Sequence, residues 1–211
     1  MKRLVRAETV PLTPQLQAHL LRDQYGSFRL TRAIRPGPAL EVIPQAGYRI
    51  ELSPHSLSRL AGSVSAEMLW DVCLDLLALL GETVDVYLQS SHFCKRSDYV
   101  RRGVDRPVLM SYCLDFEELL LHDGCTGLAV IDPADQREVH LDEHKVLIVY
   151  ARDWQPFARV LERYGIPRCD DLALILEAVH YHCSRPEYPA MFQRFAHLLG
   201  AEPVLGTVWD T

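Results

Sequence analysis

The sequence predicts an α+β fold: a mixed, mainly antiparallel sheet with a central buried helix and a helical C-terminal third. Two observations support this fold class. Short segments that alternate apolar and polar residues, or that are rich in β-branched residues, gather in the middle of the chain. Longer segments with apolar residues at helical spacing occupy the last third.

The first fifty residues predict one helix and one hairpin. Thr13 and Pro14 form a helix start, and Gly26 ends that helix. Two short strands, near 40–43 and near 48–52, are expected to pair as a hairpin.

The strongest helical pattern begins at Ser53, a capping residue that Pro54 follows at the first helical position. The apolar residues of one face are Leu57, Leu60, Ala61, Val64, Met68, Val72, Leu76 and Leu79. From about Ser65 to Leu80 the flanks of this face are apolar as well. We therefore expect this later part to be the central buried helix.

The middle of the chain predicts five strands and one helix. Residues 83–89 alternate, as in a strand that is covered on one face, and 108–113 form a second candidate strand. Asp115 and Glu118 have the spacing of a capping box at the start of a helix that Gly124 ends. A three-stranded meander follows at 127–131, 137–141 and 145–150.

The last third predicts three helices, from Asp153 to Tyr164, from Asp171 to about Cys183, and from about Pro189 to Leu199. The proline- and glycine-rich stretch 35–39 is a strong break near the other end of the chain. We therefore expect two parts, a basic N-terminal helix and arm over 1–37 and a single globular α+β domain over 38–211.

The composition limits the classes of partner. The net charge of −6 argues against general binding of nucleic acids or anionic membranes, and no apolar run reaches the roughly 18 residues of a membrane span. Six cysteines without a C-x-x-C pair are typical of reduced thiols, so we expect a cytoplasmic protein. A homo-oligomer is compatible with exposed sheet edges.

The charge is unevenly distributed. Residues 1–35 hold seven basic and two acidic side chains, and residues 90–106 hold five basic and two acidic ones. The rest of the chain holds 10 basic and 24 acidic side chains. We expect the segment 90–106 to be a long excursion from a strand end, and such excursions are usually functional or mobile.

Within 90–106, hydroxyls, an imidazole and cations suit a phosphate or a carboxylate. The candidate binding residues are Ser90, Ser91, His92, Lys95, Arg96, Arg101 and Arg102. This composition predicts a binding or regulatory domain that recognises an acidic partner protein or a small anion. An enzyme is the alternative: Lys95 and Arg96 would favour the thiolate of Cys94, and His92 is close in sequence. Such a transferase or hydrolase would act on a phosphorylated or carboxylated small molecule.

Two histidine patterns were tested as metal sites. His140, Glu143 and His144 spell H-x-x-E-H, which binds zinc only on a helix, whereas the surrounding residues predict strands. Glu177 and His180 form a single E-x-x-H, whereas a di-iron bundle needs two, so His180 and the following His182 are interpreted as a helix C-terminus. We therefore expect no metal site and no cofactor.

Overall fold

The structure, a computed structural model, describes residues 13–204. Its strands are β1 (Gln24–Tyr25), β2 (Phe28–Arg29), β3 (Ile34–Pro36), β4 (Gly47–Glu51), β5 (Ser58–Ser63), β6 (Thr83–Ser90), β7 (Ser97–Asp105), β8 (Thr126–Asp132), β9 (Arg137–Leu141), β10 (Leu147–Ala151), β11 (His180–His182) and β12 (Glu202–Pro203). Its α-helices are α1 (Pro14–Leu21), α2 (Ala66–Leu77), α3 (Arg106–Asp115), α4 (Glu117–His122), α5 (Gln155–Arg163) and α6 (Tyr188–Leu199).

Eight strands form one sheet in the order β12-β7-β6-β8-β9-β10-β5-β4, and each neighbouring pair is antiparallel. The α+β class and the β8-β9-β10 meander are therefore confirmed. β1 with β2, and β3 with β11, form two separate two-stranded ribbons. None of the helices within residues 13–204 is long and apolar enough to cross a membrane.

The two faces of the sheet carry different cores. On β10, Leu147 and Val149 belong to the larger core, which also contains residues of α2, α4, α5 and α6. Ile148, between them, points to the other face, because successive side chains of a strand alternate. Phe28 and Ile34 pack on that second face, so residues of the predicted N-terminal arm contribute to the smaller core. The division of the chain at residue 37 stays a prediction.

α2 is the central buried helix, as expected. Its buried residues are Leu69, Trp70, Val72, Cys73, Leu76 and Leu77. The predicted start of this helix at Ser53 is wrong, because residues 58–63 form β5 between β4 and β10. Leu60, Ala61 and Gly62 are all buried, so both faces of this strand are covered. A short apolar run of this kind cannot be assigned to a strand or to a helix from its hydrophobic pattern.

Two further strand predictions are wrong. Residues 40–43 are irregular, and Leu40 has a left-handed backbone with φ of 48°, while β4 pairs with β5 and not with residues 40–43. Residues 108–113 lie in α3, whose first turn contains Pro107 and whose buried Leu109 and Cys113 are four apart on one face. The predicted capping box of the next helix is absent, since Phe116 is the N-cap of α4.

The predicted helix from Asp171 to Cys183 is also wrong, whereas α5 and α6 are confirmed. Leu172 and Leu174 alternate with exposed neighbours and pack into the smaller core, which is the pattern of an extended chain. A single 3-10 turn, Ile175–Glu177, follows, and then β11 pairs with β3. The C-terminal third is therefore only partly helical.

The predicted excursion 90–106 is a turn followed by a strand. β7 pairs with β6 along its length, so only residues 91–96 lie between the two strands. The strand was not predicted because its composition is charged. The side chains of Arg101 and Arg102 are exposed, while the backbone of β7 forms the hydrogen bonds of the sheet. Strands near a sheet edge commonly carry such charges.

Candidate metal centre

Three histidines from two distant segments meet beside the smaller core. His144 lies in the turn that joins β9 to β10, and His180 and His182 lie on β11. Residues two apart on a strand point to the same side, which places His180 and His182 together. One ring nitrogen of each histidine lies within 4.8 Å of those of the other two.

The turn that carries His144 is held by Asp142. One carboxylate oxygen of Asp142, Oδ1, accepts the backbone N–H groups of His144 and Val146, each at 2.9 Å. The backbone N–H of Lys145 donates to the carbonyl of Asp142 at 3.0 Å, and Lys145 has a left-handed φ of 61°. A short acidic side chain that binds the following backbone is a standard means of fixing a tight turn.

The position of β11 depends on Gly124. Its N–H donates to the carbonyl of Cys183 at 2.8 Å, and the N–H of Cys183 donates to the carbonyl of Ala33 at 2.8 Å. A Cβ at position 124 would lie 2.1 Å from the carbonyl oxygen of Ala33, so no other residue fits without moving the backbone. This close approach brings β11 beside the residues that follow α4.

All three histidines direct Nδ1 at an acceptor. Nδ1 of His144 lies 2.8 Å from Oδ2 of Asp142, and Nδ1 of His180 lies 2.7 Å from the carbonyl oxygen of Ala178. Nδ1 of His182 contacts the carbonyl oxygen of Gly124. A carbonyl or carboxylate oxygen accepts only, so in each neutral ring Nδ1 carries the proton and Nε2 carries the lone pair.

The lone pairs point into one small volume. The ring centroids are 4.8 Å apart for His144 and His180, 4.9 Å for His144 and His182, and 5.1 Å for the two histidines of β11. Nε2 of His180 and Nε2 of His182 are 3.2 Å apart. Nε2 of His144 is buried and has no hydrogen-bond partner within residues 13–204.

The separation of the two histidines of β11 fits two nitrogen ligands of a tetrahedral ion, and His144 lies within 4.8 Å of both. Zinc binds histidine nitrogens at about 2.0–2.1 Å, which separates two ligands of a tetrahedron by about 3.3 Å. The 3.2 Å between His180 and His182 is close to that separation. A carboxylate or a backbone carbonyl behind each ring is the usual outer support of a metal-binding histidine.

Charged groups surround the turn. Burial opposes ionisation of Asp142, but hydrogen bonds from His144 and from the backbone of Val146 outweigh it and hold the pKa of this carboxyl below its usual range. Lys145 is buried, and its Nζ donates to the carbonyl of Thr126 at 2.7 Å. Burial lowers the pKa of Lys145 to about 8, against the opposing effect of nearby carboxylates such as Asp123.

A second histidine cluster contains His92, Asp123 and Cys125. Nδ1 of His92 lies 2.7 Å from Oγ of Ser90, and Nε2 lies 2.8 Å from Oδ2 of Asp123, an ion-pair contact without the alignment of a good hydrogen bond. Oγ1 of Thr126 donates to the same carboxylate oxygen at 2.5 Å. Both nitrogens of His92 therefore face protein partners.

The structure divides the residues of the predicted binding segment. Ser90 and His92 are buried, and Oγ of Ser91 donates to Oε2 of Glu143 at 2.6 Å. Among the candidate residues of the segment, those that are exposed are Cys94, Lys95, Arg96, Arg101 and Arg102. Whether these groups bind an anion or a partner stays a prediction.

The sequence patterns did not predict this histidine cluster, and the expectation that the chain has no metal site stays a prediction. His140 and His144 do not share a helix, as expected, and His140 instead contacts Oε1 of Gln89 through Nε2 at 2.9 Å. Sequence reasoning missed the combination because the ligands come from a turn and a strand that are far apart in the chain. The available signal was H-x-H at 180–182, had the segment been interpreted as a strand.

The chain was compared with known proteins. No family model matches it, and neither a curated protein nor a solved structure is significantly similar to it.

Proposed function

We propose that this protein binds a divalent transition-metal ion, with zinc as the best fit, through Nε2 of His144, His180 and His182. One observation carries the proposal: each ring is held from behind at Nδ1, so that the three Nε2 lone pairs converge. Imidazole suits zinc, copper, iron and nickel, whereas calcium and magnesium prefer oxygen ligands.

Physical chemistry favours a cation at this point. Two neutral rings that both protonate Nδ1 would bring two lone pairs within 3.2 Å of each other, which is repulsive. A proton on one ring would relieve the contact between His180 and His182, whereas a metal ion would also bind the buried Nε2 of His144. The carboxylate of Asp142 behind His144 adds negative charge that stabilises a bound cation.

The test is a zinc titration of the purified protein in competition with a chromophoric chelator, with His144→Ala, His180→Ala and His182→Ala as variants. We expect one zinc per chain, and a loss of affinity of at least about 100-fold in each variant, since changes behind a ligand already cost 10- to 100-fold. His140→Ala is the matched control, because His140 belongs to the same H-x-x-E-H pattern but binds Gln89.

The proposal is contradicted if the wild-type protein binds no zinc, or if His140→Ala loses as much affinity as the three ligand variants. Mass spectrometry under native conditions gives the stoichiometry independently.

A second candidate function is docking of an acidic partner protein on the turn 91–96. The specific observation is Phe93, which is 87% exposed at the tip of this turn, beside exposed Cys94, Lys95 and Arg96. Phe93 and Cys94 both have left-handed backbones, with φ of 57° and 59°, and such strain is commonly found at binding sites. The turn thus presents an aromatic ring among cations.

For this second function we expect Lys95→Gln/Arg96→Gln to weaken retention of the protein on immobilised poly-glutamate more than Arg101→Gln/Arg102→Gln does. Both pairs remove the same charge, so a difference reports the turn and not the net charge. Equal losses from the two pairs would reject the turn as the docking site. The enzyme alternative gains no support, because His92 faces the core while Cys94 faces solvent.

A further inference from the structure

We propose that two copies of this chain associate through a groove beside the open edge of β7, as a two-fold dimer with reciprocal ion pairs between Arg101 and Asp105. The inference is independent of the proposed metal site, because none of the three histidines lines this groove. Three features of the molecule support it: the open sheet edge, the apolar groove beside that edge and the two opposite charges in the groove.

The two edges of the eight-stranded sheet are covered to different extents. At the β4 edge, the N–H of Tyr48 donates to the carbonyl of Pro167 at 3.0 Å, and the N–H of Cys169 donates to the carbonyl of Tyr48 at 2.7 Å. At the other edge, β12 pairs with two residues of β7, and no strand within residues 13–204 pairs with 101–105 on that side. An open strand edge is a template for association with another chain.

Gly103 leaves room for a second backbone at this edge. It has a left-handed φ of 65°, and a Cβ added there would meet no atom of residues 13–204 within 4 Å, apart from its chain neighbours. Its N–H donates to Oδ1 of Asp85 on β6 at 2.9 Å, which ties this part of β7 to the sheet. A glycine inside a strand often marks a place where another backbone approaches closely.

A groove of about 230 Å³ lies beside the open edge. Its lining residues come from β7, α3 and the end of α6, and they are Arg101, Gly103, Val104, Asp105, Val108, Tyr112, Leu198 and Leu199. Val108 is 47% exposed and Leu198 is 44% exposed, so both present apolar surface to solvent. The groove is smaller than the roughly 300–1,000 Å³ of usual small-molecule pockets, so it suits the side chains of a partner protein better than a ligand.

The charges of the groove favour a second copy of the chain as that partner. Arg101 and Asp105 both line the groove, so it matches neither an acidic nor a basic segment along its whole length. Arg101 is exposed, and the side chain of Asp105 makes no capping hydrogen bond to α3, so both are available for new contacts.

Two-fold symmetry brings these charges together. In a two-fold interface, each contact between two different residues occurs twice. An antiparallel approach of two β7 strands about Gly103 sets Arg101 of each copy opposite Asp105 of the other, because the two residues lie at equal distances along the strand from that glycine. The apolar surfaces of Val108 and Leu198 lie in the same groove and are covered in the same step.

The experiment is analytical ultracentrifugation of the purified protein over a series of concentrations, with Arg101→Asp, Asp105→Arg and the double variant Arg101→Asp/Asp105→Arg. Each single change sets like charges opposite each other at both ends of the interface, so the dissociation constant of the dimer should rise at least about tenfold. The double variant restores opposite pairs and should associate as the wild-type protein does. Arg159→Asp makes the same charge change at an exposed position of α5 and is the control, which should leave association unchanged.

A mixture of the two single variants separates a lost interface from a misfolded chain. An Arg101→Asp chain and an Asp105→Arg chain present opposite charges to each other at both ends of the interface. The equimolar mixture should therefore form a heterodimer with about the wild-type affinity, although each variant alone associates weakly.

The inference is wrong if the wild-type protein stays monomeric up to about 0.3 mM, since its dissociation constant would then be roughly 1 mM or more. It is also wrong if the single variants associate as the wild-type protein does, or if their mixture fails to associate, because the copies then do not meet through this groove. An equal loss in Arg159→Asp would attribute association to net charge and would reject the groove as well. None of these results changes the expected zinc titration, which tests the proposed function separately.

Discussion

Two groups of potential metal ligands within residues 13–204 use histidine in opposite ways. In the cluster of His92, one ring nitrogen faces Ser90 and the other faces Asp123, so both are engaged by the protein. In the cluster of His144, His180 and His182, the protein holds one nitrogen of each ring, and the other nitrogens face one another.

This difference shows that the burial of a ring does not distinguish a structural histidine from a candidate ligand. The distinction lies in what the second ring nitrogen faces: a hydrogen-bonding or charged partner in the structural case, and other histidine nitrogens in the candidate ligand. His92 is more buried than the histidines of β11, yet its contacts are explained by hydrogen bonding and ion pairing. The cluster of His144, His180 and His182 has three contacts at Nδ1 that fix the rings, and such contacts are the usual outer support of a metal site. The comparison predicts different responses to the same substitutions.

The largest expected effect is on folding, from His92→Ala. Asp123 has no exposed surface, and removing His92 leaves its carboxylate with a lost partner and a cavity beside it, which should cost about 3–5 kcal/mol of unfolding free energy. In metal-free protein, His144→Ala should cost only about 1–2 kcal/mol, because the carboxylate of Asp142 keeps its backbone donors. Urea unfolding in the presence of a chelator measures both; equal losses would remove the distinction between the clusters.

A smaller effect is expected on metal affinity, from Asp142→Asn. The amide keeps an oxygen for the turn but loses the negative charge behind His144, so zinc affinity should fall about 10- to 100-fold. Asp132→Asn is the matched control. Asp132 is also buried and also accepts hydrogen bonds from backbone N–H groups, those of Gly81 and Ala134, but it does not contact the histidine cluster. Competition titration should show unchanged zinc affinity in this control; a comparable loss there would contradict the assigned role of Asp142.

The smallest effect concerns pH and extends the comparison to His140, whose Nε2 contacts an amide oxygen. Burial, the largest influence, lowers the pKa of His140 from its usual value near 6.5. Below that value the unfolded chain binds a proton that the folded chain does not, so stability falls as the pH falls, by at most about 1.4 kcal/mol per pH unit for this residue.

His140→Gln should therefore flatten the dependence of unfolding free energy on pH between about 5 and 6.5 in chelator-treated protein. His55→Gln, at an exposed position, is the control and should leave the curve in place. An unchanged slope in His140→Gln would show that burial of this ring is not linked to stability.

Much of the fold follows from local patterns in the sequence. The signals that tertiary contacts reinforce are the apolar runs of β8 and β10, the alternation in β9 and the wide apolar face of α2. Two of the failures occur where a strand has an unusual surface. β5 is buried on both faces, and β7 has exposed arginines, so neither displays the alternation of a half-covered strand.

The candidate metal centre could not be predicted for a related reason. His180 and His182 share a side only if the chain there is extended, and the partner strand β3 that makes it extended is remote in sequence. His144 joins them through a turn that depends on Asp142. Local propensity contains no information about such long-range pairing. The sequence patterns around the three histidines were interpreted from local propensity alone, so they could not predict that the histidines meet.

The ribbon of β3 and β11 has a consequence for the order of events during biosynthesis. Its two strands join regions near opposite ends of the described chain, so forming it closes a loop of about 145 residues, which is entropically costly and slow compared with local contacts. Two of the three histidines lie on the later strand. A growing polypeptide therefore cannot assemble the histidine cluster until residues 180–182 have left the ribosome, and binding of the proposed ion would follow the pairing of β11 with β3.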